Sequence, residues 1–242
     1  MNNDRQHGSD SNLHSPLTCS VCGGTEFKAN SVLWPKLIDD WQLSPTEVAY
    51  VDRQQGECCT RCGANLRSIA LADAVRSAVG TSLALAEFVT SADAANLSVL
   101  EVNTAGTLNS FLSKIPKHTF AAYPEVDIHS LPWKDQTFDI VVHSDTLEHV
   151  ANPAHALVEC RRVLKGGGAL CFTVPIIVGR MTRGRQGLPK SHHGNPLEGN
   201  DDYVVHTEFG ADAWTLPVEA GFSNVTIFAV AYPAGLALMA RR

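Results

Sequence analysis

No feature constrains this chain more than the stretch Phe138 to Pro175, FDIVVHSDTLEHVANPAHALVECRRVLKGGGALCFTVP. Phe138 to Ser144 is a short β-branched apolar run of the kind that forms a strand buried on both faces, and Ala169 to Val174 is a second. Between them Asn152 is placed to cap a helix, Pro153 suits its first turn, and Ala156, Leu157, Cys160, Val163 and Leu164 recur at helical spacing. Gly166, Gly167 and Gly168 then end the helix. Strand, crossover helix and strand make a βαβ unit, so the two strands are expected side by side and parallel, with a right-handed connection.

A chain of 242 residues with 44% apolar composition can bury one full core and carry a small appendage. No run reaches the length of a membrane span, and the start, MNNDRQHGSDSNLHSP, lacks the basic and apolar parts of a signal peptide. A cytoplasmic protein with no membrane partner is therefore expected. A formal net charge of −6 argues against nucleic acid found through the overall field. Residues 1–16 are polar and read as a disordered arm.

Seven cysteines without a secretory signal read as thiols or metal ligands rather than disulfides. Cys19-Ser-Val-Cys22-Gly23 and Cys59-Thr-Arg-Cys62-Gly63 are two turns that each offer a pair of thiolates on one side of a tight loop. Together they suit a closed tetrahedral site for structural Zn²⁺ on Cys19, Cys22, Cys59 and Cys62, with Cys58 a spare thiol. The plainer alternative is two unrelated turns with reduced cysteines. Between the turns, Trp34, Leu37, Ile38, Trp41 and Val48 are enough for an amphipathic helix or a small lid. Beyond them, Leu66 to Phe88 reads as helices.

The ordered string of Phe-Asp before an apolar run, LEHV, RVLK-GGG, a second run and Val-Pro resembles the class I S-adenosylmethionine-dependent methyltransferases of the type 11 kind. The CxxC-Gly-x-x-x-Arg run from Cys59 to Arg67 resembles bacterial members with an N-terminal zinc-ribbon-like module. The resemblance implies an α/β fold with a Rossmann-like, mostly parallel sheet of seven strands and helices on both faces, preceded by the four-cysteine module. The expected organisation is the arm at 1–16, a zinc-ribbon-like module at 17–66 and a methyltransferase domain at 67–242 with a substrate loop at 175–207.

In such a fold the first strand is Ser98 to Asn103, and Glu101 matches the acidic position before a glycine-rich cofactor turn. Asn103, Ala105 and Thr107 stand where glycines are usual, and Gly106 is one place off, which reads as an eroded turn. After the second strand, Tyr123 and Glu125 are the nearest candidates for the ribose. Asp127-Ile128-His-Ser-Leu-Pro-Trp resembles the segment whose aspartate accepts from the adenine amino group while the next residue packs on the purine; a turn-capping aspartate is the alternative. His143 and Ser144 end the fourth strand, at the edge where such sheets bind ligands, and His149 opens the next turn.

The Gly- and Pro-rich run from Ile176 to Val205 is long for a compact fold and should overhang the site. Its Arg180, Arg183, Arg185 and Lys190 suggest an anionic substrate group, with a solvated mobile loop as the alternative, and His192 and His193 accompany them. His206, His143 and His149, in that order, are the candidates for a general base. The implied activity is methyl transfer from S-adenosylmethionine to an oxygen or nitrogen of a small molecule. RNA methylation and a non-catalytic, cofactor-binding scaffold are the alternatives. The oligomeric state is left open, a dimer included.

Overall fold

The computed structural model describes residues 17–192 and 201–242, so the arm expected at 1–16 and the candidate ligand His193 lie outside the described residues. The first cysteine turn leads to β1 (Phe27–Ala29), α1 (Pro35–Asp40), α2 (Pro45–Gly56) and β2 (Glu57–Cys59). The second cysteine turn leads to α3 (Leu66–Val79), α4 (Leu85–Phe88), β3 (Ser98–Val102), α5 (Asn109–Leu112) and β4 (Lys117–Ala121). Next come β5 (Phe138–Ser144), α6 (Pro153–Val163) and β6 (Leu164–Thr173). The chain finishes with β7 (Ile176–Ile177), β8 (Arg183–Gly184), β9 (Thr207–Gly210), α7 (Thr215–Glu219), β10 (Asn224–Val230) and β11 (Gly235–Arg241).

The βαβ unit forms as its residues require. Asn152 Oδ1 accepts from His155 N at 3.0 Å, Pro153 starts α6, and Ala156, Leu157, Cys160 and Val163 are the buried stripe. β5 and β6 pair in parallel, from His143 opposite Phe172 down to Ile140 opposite Ala169, with an irregularity below that takes up the glycines. The central sheet runs β10-β11-β6-β5-β3-β4. β4, β3, β5 and β6 are parallel, and β11 and β10 close the sheet antiparallel.

Among the described residues this is a Rossmann-like mixed sheet of six strands, against the seven expected. Between β4 and β5, around Asp127, no further strand is found among the described residues. There Asp127 Oδ1 accepts from His129 N at 2.8 Å and Ser130 N donates to Asp127 O at 2.9 Å, so the backbone turns where a strand would extend. α3 covers one face of the sheet against β6, β10 and β11, while α6 covers the other, so the middle strands are apolar without alternation.

Two additions sit on this core. β1 and β2 form an antiparallel ribbon that carries the cysteine turns, and Cys19 and Cys59 are buried in the same cluster as Leu66, Ile69 and Leu71 of α3. The other addition has a core of its own, where Leu37, Trp41, Tyr50 and Val51 of the α1–α2 insert pack on Ile177 and Val205 of the loop after β6. α2 begins on a capping box: Ser44 Oγ accepts from Glu47 N at 3.3 Å, and Ser44 N donates to Glu47 Oε2 at 2.8 Å. Pro217 falls within the first turn of the five-residue α7, where no intrahelical hydrogen bond is lost.

Candidate active site

A cavity of about 720 Å³ opens beyond the carboxyl ends of β3 and β5. From β3 the chain moves outward to β4, and from β5 inward to β6, so the cavity lies at the switch point of the parallel strands. Its size is within the range of about 300–1,000 Å³ usual for small-molecule and cofactor sites. Asn103 and Gly106 on its wall have φ of 55° and 53°. Asparagine tolerates this left-handed region, so Asn103 supplies the bend that a glycine was expected to provide. Its side chain also accepts from Tyr123 N at 3.1 Å, tying the turn after β3 to the turn after β4.

Glu101 stands off the cavity wall, contrary to its expected place at the cofactor. It is completely buried, and its carboxylate accepts from Ala105 N at 2.8 Å, Asn109 Nδ2 at 3.1 Å and His118 Nε2 at 2.7 Å. It braces the turn from behind. Tyr123, Asp127, Ile128 and Ser144 do line the cavity, but Asp127 Oδ1 already receives His129 N and Nδ1, both at 2.8 Å. Burial raises the Asp127 pKa, but these His129 hydrogen bonds outweigh it and hold the carboxyl below its usual range. Glu125 is not on the wall.

The three histidines differ sharply. His143 is fully buried against Phe172, with ring centroids 5.1 Å apart and both ring nitrogens lacking a partner, and burial drives its pKa down to about 4. It is a neutral core residue off both cavity walls, because successive strand side chains point to opposite faces and Ser144 takes the cavity side. His206 is exposed and lines the large cavity; its N–H donates to Glu148 O at 2.7 Å. His149 lines the large cavity and also a second one. Its Nδ1 is 3.1 Å from Val204 O, and a carbonyl can only accept, so Nδ1 is the donor of that pair, while Nε2 stands 3.7 Å from Glu148 Oε1.

The second cavity, about 260 Å³, lies under the α1–α2 insert. Asp145, His149 and Tyr203 line both cavities, so the two adjoin. Trp34, Leu37 and Trp41 supply its apolar side, and Gln55, Arg67 and Glu148 its polar side. Arg67, the arginine of the CxxC-Gly-x-x-x-Arg run, is buried and reaches Asp145 Oδ2 at 2.8 Å. Asp145 itself has φ of 49°, which turns the chain sharply at the end of β5.

The loop arginines are not brought to either cavity. Arg180 donates twice to Glu47, at 2.7 and 2.8 Å, and to the carbonyls of Trp41 and Gln42 at 2.7 and 2.8 Å, so it clamps the loop onto the insert. Arg183 pairs with Glu208 at 2.6 Å, and Arg185 pairs with the same carboxylate and donates to Pro189 O at 2.8 Å. His192 bridges to Val204 away from both cavities. Acids distant in sequence consumed these charges, which spacing alone could not disclose.

Residues 62–172 match the family model described as a methyltransferase domain. Over these residues the chain is similar to methyltransferase domains. A stretch of 63 residues is 38% identical to a Mycolicibacterium smegmatis protein whose name reads "Probable S-adenosylmethionine-dependent methyltransferase", covering 24% of each chain. Another of 44 residues is 50% identical to an uncharacterized methyltransferase of Schizosaccharomyces pombe, covering 18% of this chain and 16% of that one. Among solved structures, a SAM-dependent methyltransferase from Methanosarcina mazei aligns over 61% of this chain and 93% of that one at 14% identity, with a TM-score of 0.40. The chain spans only 14–24% of the length of the curated relatives it matches first.

The methyltransferase domain match begins at Cys62, inside the second cysteine turn. The sulfurs of Cys19, Cys22, Cys59 and Cys62 all lie within 4.8 Å of one another, with Cys19 to Cys62 at 3.6 Å and Cys22 to Cys59 at 3.7 Å. Four thiolates about 2.3 Å from one tetrahedral ion stand roughly 3.8 Å apart, so the cluster fits such an ion. Gly23 and Gly63, at φ of 75° and 76°, close the two turns, and a Cβ at Gly24 would meet Cys59 Sγ at 2.8 Å. Cys58 stands apart, with its thiol on Gln55 O. Among the described residues no helix is long and apolar enough to cross a membrane.

Proposed function

We propose that the protein transfers the methyl group of S-adenosylmethionine to a nitrogen or oxygen of a small molecule. The observation that carries this reading is the junction of the two cavities at Asp145, His149 and Tyr203. The large cavity at the strand ends suits the cofactor, with Asn103, Gly106, Tyr123, Asp127, Ile128 and Ser144 to hold it. The left-handed Asn103 and Gly106 favour a working cofactor turn over a non-catalytic scaffold. The small cavity under the insert suits the acceptor.

S-adenosylmethionine supplies an already activated methyl group. The chain's own task is to align the acceptor, exclude water and hold a proton where one must leave. His149 is the preferred base, because its Nδ1–H is held by Val204 O and its basic Nε2 belongs to the residue shared by both walls. His206 is the second choice. The four-cysteine ribbon is proposed to hold Zn²⁺ as a brace for α3, since four closed ligands leave no open position for chemistry.

Titration calorimetry with S-adenosylhomocysteine tests the reading. Binding is expected, and Asp127→Ala should weaken it by about 1 kcal/mol through loss of an acceptor on the wall. No binding to the native protein would overturn it.

A further inference from the structure

We infer that the small cavity takes a compact, apolar-bodied amine as the methyl acceptor, an inference that rests on the methyl-transfer reading. The loop arginines that suggested an anionic substrate are absorbed by Glu47 and Glu208. Among the described residues, Arg67 is the one lysine or arginine that lines either cavity, and its charge is set against Asp145. The two walls also carry Asp127, Glu148 and Asp202, so carboxyl groups outnumber cations. An anion placed there would meet the repulsion of these carboxylates. A protonated amine meets the opposite field.

The apolar side selects the body of the same molecule. Trp34 and Trp41 both line the small cavity, and the Trp41 ring is fixed by its Nε1–H donating to Ser191 Oγ at 2.9 Å. Indole faces attract a cationic nitrogen and pack an apolar ring or chain. A volume of about 260 Å³ limits the guest to one or two small rings.

The step balances with groups already named. The bound ammonium gives one proton to His149 Nε2 and becomes a neutral amine. Its lone pair then forms the nitrogen–carbon bond as the carbon–sulfur bond breaks, and that bond's electron pair stays on sulfur.

Three probes share one body and differ in charge: 2-phenylethylamine, 2-phenylethanol and phenylacetate. Calorimetry on the full chain, with and without saturating S-adenosylhomocysteine, should show the amine binding at least tenfold tighter than the alcohol and no binding of phenylacetate. Trp34→Ala should weaken the amine at least tenfold and leave S-adenosylhomocysteine affinity unchanged. The inference is overturned if phenylacetate binds as well as the amine, if the Trp34→Ala protein binds the amine undiminished, or if no probe binds. Failure to bind S-adenosylhomocysteine would sink the methyl-transfer reading and with it the acceptor role, whereas the titration without it still ranks the three probes and so tests the cavity's preference for an amine separately.

Discussion

The walls of the two cavities are built by opposite means. The large cavity is walled mainly by short segments at the ends of β3, β4 and β5, and each segment bends over one or two residues, such as Asn103 and Gly106. The small cavity is walled by an insert between two cysteine turns and by residues such as Pro175 and Tyr203, more than a hundred positions away. Hydrogen bonds hold those parts together: Arg180 to Glu47, Trp41 to Ser191, and Gln54 Nε2 to Ile176 O at 2.9 Å. The first wall is a property of local backbone, and the second is a property of packing. The family match stops at Phe172 and starts at Cys62, so it takes in strand ends of the first wall and leaves out most of the second.

The largest effect should come from removing what anchors the insert. Cys59→Ser is expected to abolish the retention of about one zinc per chain and to lower Tm by more than about 10 °C, since structural zinc contributes on the order of 10 kcal/mol and Cys59 shares a core with α3. Metal analysis beside calorimetric melting checks it; an unchanged Tm would separate the ribbon from the stability of the sheet.

Next in size is the junction. His149→Ala should lower kcat by about 100-fold with S-adenosylhomocysteine affinity intact, while His206→Ala costs less than about tenfold. The reverse order in steady-state kinetics would move the chemistry to the large cavity alone.

A smaller effect tests the local wall. Asn103→Val places a β-branched residue at φ of 55°, a conformation that costs roughly 1–2 kcal/mol, so S-adenosylhomocysteine should bind about tenfold more weakly. Asn103→Gly should bind it as the native protein does. Equal loss in both variants would mean that the asparagine side chain, not its backbone, carries the effect.

The smallest effect concerns the clamp. The Arg180 hydrogen bonds hold the Glu47 carboxyl down at about 2, outweighing its burial. A depressed carboxylate pKa adds stability that is complete above the ordinary value of about 4.3 and is lost as pH falls through about 2. Hydrogen exchange of the α2 amides should therefore accelerate between about pH 4 and 2, and Arg180→Ala should remove that dependence while raising the acceptor KM only a few-fold. Exchange in α2 that ignores both changes would mean the insert is held by its apolar core.

What was legible follows the same division. The βαβ unit and the Asn152 cap could be read because each rests on residues adjacent in sequence. The cysteine spacing foretold a cluster whose four sulfurs meet. Around Asp127 the chain turns instead of forming a strand, because an aspartate that can accept from its own neighbours favours a turn as readily as a ligand. The loop arginines misled because charge on a chain discloses no partner: Glu47 lies 133 residues from Arg180. His143 misled because a strand residue's place in the order does not say which face it joins until the sheet is packed.

The sequence by itself determined the parallel strands and the two cysteine turns, because strand periodicity, helix caps and tight turns are decided by neighbouring residues. Only the tertiary structure decided which histidine stands between the cavities, which arginines are spent on carboxylates and what roofs the small cavity. Those outcomes depend on side chains brought together across more than a hundred residues, where burial and pairing set the chemistry.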